Sequence, residues 1–147
     1  MDMTHLKTDY FDSMLRVRKG YARVLEPICR QWDLTRNELD VLLFLANNPG
    51  FDRAADIVAR RGMAKSHVSL SVSTLEEKGL LTRRCDPADR RTVHLALSPQ
   101  AVEIARIGRE AQVEFFGKVY KGLTEGEIIF WQSILDKVSQ NIRELEL

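Results

Sequence analysis

Between Lys65 and Leu97 a short helical pattern ending at Gly79 runs directly into two strand patterns joined by Cys85-Asp86-Pro87-Ala88-Asp89-Arg90-Arg91, and no other stretch limits the fold as tightly. Val68, Val72 and Leu75 recur at i, i+4 and i+7, which marks the buried side of a helix, and Gly79 suits the left-handed position that closes it. Leu80–Arg84 and Thr92–Leu97 then read as paired strands, with Val93, Leu95 and Leu97 at period two. Upstream, Thr35-Arg36-Asn37-Glu38 is a capping box that opens a helix carrying Leu39, Leu42, Leu43 and Ala46 before Asn47-Asn48-Pro49-Gly50 breaks it. A shorter helix over about Asp52 to Arg61 follows, with Ala54, Ile57 and Val58 inward and Gly62 as its turn. Two helices joined tightly and followed by a hairpin give a helix-turn-helix with a wing.

The flanks are helical. Tyr10, Met14, Val17, Tyr21, Val24 and Ile28 form one apolar stripe, which Phe11, Leu15, Ala22 and Leu25 widen. Ser98-Pro99 supplies an N-cap and first-turn proline for a helix with Ile104, Ile107, Ala111 and Phe115 inward. After a further capping box, Thr124-Glu125-Gly126-Glu127, the residues Ile128, Trp131, Leu135, Val138, Ile142 and Leu145 repeat at heptad-like spacing. The expected class is mainly α with a small β-hairpin wing. Its segments are an N-terminal packing helix over 1–34, the winged helix-turn-helix over 35–98, and C-terminal packing helices over 99–147.

A formal net charge of only +1 in 147 residues taken alone argues against a nucleic-acid partner, yet its distribution is uneven. Residues 53–98 hold nine Lys or Arg against five Asp or Glu, whereas the segments on either side are slightly acidic. A basic island in the proposed reading module is the electrostatic footprint of DNA binding. Cys29 and Cys85 form no CxxC or Cys/His cluster, and His5, His67 and His94 lack ligand spacing, so neither a disulfide framework nor a metal site is expected. The charged start of the chain and the absence of a long apolar run point to a soluble cytoplasmic protein without a membrane span. No Gly-rich phosphate loop, nucleophile elbow or spaced carboxylate pair suggests an enzyme or a cofactor.

Opposite the buried stripe, the Lys65–Gly79 helix presents Ser66, Leu70 and Ser73, flanked by His67, Ser69 and Thr74, with Lys65 at its start. Hydroxyls and an imidazole can bond base edges or phosphates, and an outward leucine can meet a thymine methyl in a major groove about 12 Å wide. The alternative is a Ser-rich helix packed on another protein or simply exposed. In the wing, Pro87 stiffens the loop. Asp86 and Asp89 either bond local backbone or pair with Arg90 or Arg91, and Arg83 and Arg84 add charge on the first strand.

Leu75-Glu76-Glu77-Lys78-Gly79-Leu80-Leu81, then Arg84, then Asp86-Pro87-Ala88-Asp89-Arg90-Arg91 and finally Leu95-Ala96-Leu97-Ser98 resemble the MarR family of transcriptional regulators. The order of helices and the length extend that resemblance over nearly the whole chain. It implies an obligate homodimer whose terminal helices interlock, making them dimerisation helices, with recognition helices in successive major grooves of a pseudo-palindromic operator. It also implies that Arg90 or Arg91 enters or approaches the minor groove, with Asp89 as its tether. One departure is Ser98-Pro99-Gln100-Ala101, where members commonly have Leu-Thr and a Gly-containing helix start; serine can cap as threonine does.

The resemblance further suggests a cleft for a small aromatic or phenolic effector, with Tyr10, Phe11, Met14, Trp32, Phe44 and Phe115 as walls and Arg16 or Arg18 as counter-ion. Each of those aromatics also lies on a stripe that a core needs. Some relatives sense peroxide through a cysteine near the start of the first helix, but Cys29 falls near its end, where a small buried hydrophobe is the simpler role. The expected function is a DNA-binding regulator, a repressor released when an effector changes the spacing of its recognition helices. The alternatives are a redox-responsive regulator acting through Cys29 or Cys85, and a winged-helix module used for protein contacts.

Overall fold

The computed structural model describes residues 4–145, with side chains from residue 9 onward. Its elements are α1 (Thr4–Trp32), α2 (Arg36–Asn47), α3 (Ala54–Arg61), α4 (Lys65–Glu77), β1 (Leu81–Cys85), β2 (Val93–Leu97), α5 (Pro99–Val119) and α6 (Glu125–Glu144). They fall into two compact units that divide within α5, after Val113. No helix among the described residues is long and apolar enough to cross a membrane.

The helix boundaries follow local chemistry. Thr35 Oγ1 accepts the Glu38 N–H at 3.2 Å while the Glu38 carboxylate accepts the Thr35 N–H at 3.1 Å, so the capping box starts α2 as its residues require. Thr124 and Glu127 reciprocate in the same way at α6. At α5 the Ser98 hydroxyl accepts the Ala101 N–H at 3.1 Å ahead of Pro99. The end of α4 is a Schellman motif: Gly79 at φ +70° donates to the Glu76 carbonyl, and Leu80 reaches back to Leu75 at 2.9 Å. Pro27 lies inside α1 on an exposed turn, where the missing N–H leaves the Arg23 carbonyl to solvent.

The first unit has one core. Leu25 and Ile28 from α1, Leu39 and Val41 to Phe44 from α2, Ile57 from α3, and Val68, Val72 and Leu75 from α4 close on Leu80, Leu81, Leu95, Ala101, Ile104 and Ala105. The inward set expected for α4 is fully buried; in α3 only Ile57 is, with Ala54 and Val58 half-buried. α5 approaches α2 closely at Gly108, where a Cβ would stand 2.7 Å from Leu43 Cδ2. The hairpin is antiparallel, pairing Leu81 with Leu97 and Cys85 with Val93. Leu95 also donates its N–H to the Asp52 carbonyl at 2.8 Å, so the segment ahead of α3 lies against β2 like a third strand.

In the second unit, Phe116 sits between Phe115 and Tyr120, edge-on to the first and stacked on the second. None of the α6 side chains is fully buried. The heptad-like stripe expected to pack leaves Trp131, Val138, Ile142 and Leu145 exposed, with Leu135 and Ile128 half-buried.

Candidate nucleic-acid interface

Once Val68, Val72 and Leu75 face the core, the rotation of α4 is set, and the residues opposite them must face outward. Lys65, Ser66, His67, Ser69 and Leu70 are all exposed, Leu70 to 68%. They occupy the first two turns, the part of a recognition helix that reaches base edges. Ser73 and Thr74 also belong to the expected reading face, but they are half-buried and already bonded. Thr74 Oγ1 donates to the Leu70 carbonyl at 3.0 Å, and Ser73 Oγ accepts from Arg83 at 3.1 Å. Arg83 also donates to Glu76 at 2.8 Å, so this guanidinium braces β1 against the C-terminal half of α4.

The wing turn is shaped by its two aspartates. Asp86 Oδ1 accepts the Ala88 N–H at 2.8 Å, and the Asp86 N–H donates to the Thr92 carbonyl at 2.9 Å. Asp89 Oδ1 accepts the Arg91 N–H at 3.0 Å, and its other oxygen accepts the Thr92 hydroxyl at 3.0 Å. Of the two arrangements open to these aspartates, backbone bonding is the one adopted. Asp89 tethers Arg91 through its main chain rather than through either guanidinium. Among the described residues Arg84, Arg90, Arg91 and Lys65 have no acidic partner, and all four are exposed.

A cluster beneath the wing had no signal in the motif. His94 on β2 lies between two carboxylates, Nδ1 at 2.7 Å from Asp52 and Nε2 at 3.1 Å from Asp86. Hydrogen bonds to Asp52 and then Asp86 push its pKa above the ordinary histidine value. The Ala88 N–H, and after it His94, holds the Asp86 carboxyl below the usual range. Asp52 and His94 are 42 residues apart, so local spacing could not pair them. Elsewhere the buried Glu38 receives Lys78 Nζ at 3.0 Å, which fixes the end of α4 to the start of α2.

Within the first unit, the residues expected around an effector do not converge. Tyr10, Phe11 and Met14 are exposed on the first half of α1, beside the exposed Arg16 and Arg18, and the first two rings meet edge to face at 5.7 Å. Trp32 is eighteen residues beyond Met14, about 27 Å along a helix, and packs on the core with its Nε1 buried and unbonded. Phe44 is a core residue at 3% exposure, and Phe115 belongs to the second unit. A polar network was missed instead: Arg109 donates to Asn47 at 2.9 Å, Asn47 to Gln112 at 3.2 Å, and Gln112 to the Tyr21 hydroxyl. Burial raises the Cys29 thiol pKa, with Arg36 opposing, which is opposite to the shift a reactive thiolate needs; Cys85 is exposed at the end of β1. No metal-holding group of His, Cys, Asp and Glu occurs among the described residues.

The family model described as MarR family matches residues 32–92. A protein of Thauera aromatica, assigned by name as the transcriptional regulatory protein for the hcr operon, is 41% identical over 68 residues, 46% of this chain; the match spans only 40% of that relative. Transcriptional regulator HosA of Escherichia coli is 30% identical over 91 residues, covering 59% of this chain and 67% of HosA. Among solved structures, a MarR-family regulator from Listeria monocytogenes complexed with a 26-mer DNA has a TM-score of 0.80 at 18% identity, covering 92% of this chain and 89% of that one. CouR from Rhodococcus jostii, bound to p-coumaroyl-CoA, gives 0.74 at 20%, covering 90% and 93%. At such identities the structures establish the fold, while the family model's match, residues 32–92, takes in α2, α3, α4, β1 and the wing turn. The chain belongs to the MarR family of transcriptional regulators.

Proposed function

We propose that this chain binds duplex DNA as a homodimer, on a pseudo-palindromic operator, and acts as a repressor released by a small aromatic or phenolic effector. The observation that carries the DNA reading is one surface arrangement. The exposed first turns of α4 belong to the same module as Arg84, Arg90 and Arg91, which have no acidic partner among the described residues, and that module holds the basic excess of the chain. Helix N-terminal residues suit base edges, while wing guanidinium groups suit phosphates or a minor groove. Ser73, Thr74 and Arg83 then support the reading face, and Asp89 sets the wing turn. The Listeria relative, solved with DNA, supports the same reading.

Self-association is supported by exposed apolar side chains in each unit: Tyr10, Phe11, Met14 and Leu15 in the first, and Ile129, Phe130, Trp131 and Ile142 in the second. Exposed apolar surface of this extent marks a protein contact. Residues 35–98 serve as the DNA-binding segment, with 1–34 and 99–147 as dimerisation helices. CouR, solved with an aromatic thioester, supports an aromatic effector. In this reading the chain acts by binding rather than catalysis, and a DNA ligand supports a cytoplasmic location.

The test is binding of purified protein to genomic fragments, its own promoter region included, at two salt concentrations with footprinting. Protection of a two-fold symmetric site with half-sites about 34 to 36 Å apart is expected. Absence of selective protection at low salt would overturn the reading and favour a protein-interaction module.

A further inference from the structure

His94 stands where three segments meet. From one side comes Asp52, the residue two positions ahead of α3, whose backbone carbonyl holds the Leu95 N–H and whose carboxylate holds His94 Nδ1. From the other comes Asp86, the first residue of the wing turn, which holds His94 Nε2 with one oxygen and the Ala88 N–H with the other. One imidazole therefore joins the turn that presents Arg90 and Arg91 to the segment on which the helix-turn-helix is built. An ionised carboxylate only accepts, so both ring nitrogens must carry hydrogen for both bonds to form, and only the imidazolium has two N–H groups.

The surrounding charges favour that form. Asp52 and Asp86 contact the ring directly. Burial alone opposes protonation, and Arg84 is the residue opposite His94 in the hairpin register. Arg53 next to Asp52 is bound to Asp56 at 3.1 Å, and Asp89 is occupied by the Arg91 N–H and the Thr92 hydroxyl.

We propose that His94 is a positioning residue for DNA binding: as an imidazolium it ties the wing turn to the segment ahead of α3 and holds Arg90 and Arg91 in place, and its deprotonation loosens the wing. This rests on the DNA-binding reading above. Because the folded state holds the ring protonated beyond its ordinary range, the tie is complete below the unperturbed histidine value of about 6.5 and is lost as pH rises through the higher folded value. Affinity for DNA then falls across that window at constant salt. The groups are partly exposed, so the expected loss is about twofold to fivefold, the range of an exposed ion pair.

The experiment measures affinity for a footprinted fragment at pH 6.0 and 8.5 with wild type, His94→Gln, Asp52→Asn and His67→Gln. In parallel, the imidazole resonances of His94 and the amide exchange of Leu95 and Arg91 are followed in the protein without DNA. Wild type and His67→Gln should both weaken as pH rises. His94→Gln should be flat at the weaker level, and Asp52→Asn, which keeps its backbone bond to Leu95, should lie near that level at pH 6.0. A decline that persists in His94→Gln overturns the proposal, as does a His94 that titrates at or below the ordinary value. Failure to bind DNA at either pH overturns the DNA reading itself, and the resonances and exchange rates then report the tie between His94 and the wing independently.

Discussion

At the residue scale, the arginines of the hairpin divide by what they touch. Arg83 is bound to Glu76 and Ser73, whereas Arg84, Arg90 and Arg91 have no acidic partner among the described residues. Arg90→Ala or Arg91→Ala should therefore weaken DNA binding across sequences and lower the slope of log affinity against log salt by about one, read from a salt titration. An unchanged slope for both would remove the wing from the interface. Arg83→Ala should instead act mainly on stability, by less than about 1 kcal/mol given the exposure of its ion pair, with the salt slope retained. The outward position of Lys65, Ser66, His67, Ser69 and Leu70 was legible from three buried residues at helical spacing. That Arg83 bonds Ser73 and Glu76 was not, because it depends on where β1 lies against α4, whereas the Thr74 bond to the Leu70 carbonyl stays within one turn of α4 itself. The role of Asp89 was half legible: its contact with the Arg91 backbone is local chemistry, but the sequence also allowed a guanidinium contact.

At the element scale, the ends of the helices are where local rules decide most. The Schellman turn after α4 requires Gly79 at φ +70°, so Gly79→Ala should cost roughly 1–2 kcal/mol in chemical denaturation although no neighbour lies within 4 Å of an added Cβ. Thr35→Ala removes the acceptor for the Glu38 N–H and should cost about 1 kcal/mol in the same measurement. Both caps are readable from short local patterns, because their partners lie within four to six consecutive residues. The second task of Glu38, holding Lys78, joins residues 40 apart, and the clamp of His94 by Asp52 joins residues 42 apart. No local pattern reports such pairs. α1 shows the same boundary: its stripe is continuous in sequence, yet among its described residues only Leu25 and Ile28 are fully buried, because α2 packs against that end.

At the scale of the whole molecule, α6 has no fully buried side chain while presenting Ile129, Phe130, Trp131, Ile142 and Leu145 to solvent, which a lone chain has no reason to maintain. With the homodimer proposed above, Leu135→Asp should yield a monomer by sedimentation and abolish operator binding; a variant that still sediments as a dimer would exclude α6 from the interface. The sequence by itself determined the element order, the rotation of α4, the caps and the basic wing, since all of these follow from contacts within a few residues or from period. It could not say that Phe44 is buried in the core with Trp32 against it while Tyr10 and Phe11 stay exposed on the far half of α1. Nor could it say that His94 stands between two carboxylates from different segments. Those facts arise when helices and strands distant in sequence are brought together, and a periodic stripe shows only that a residue will be covered, not which partner covers it.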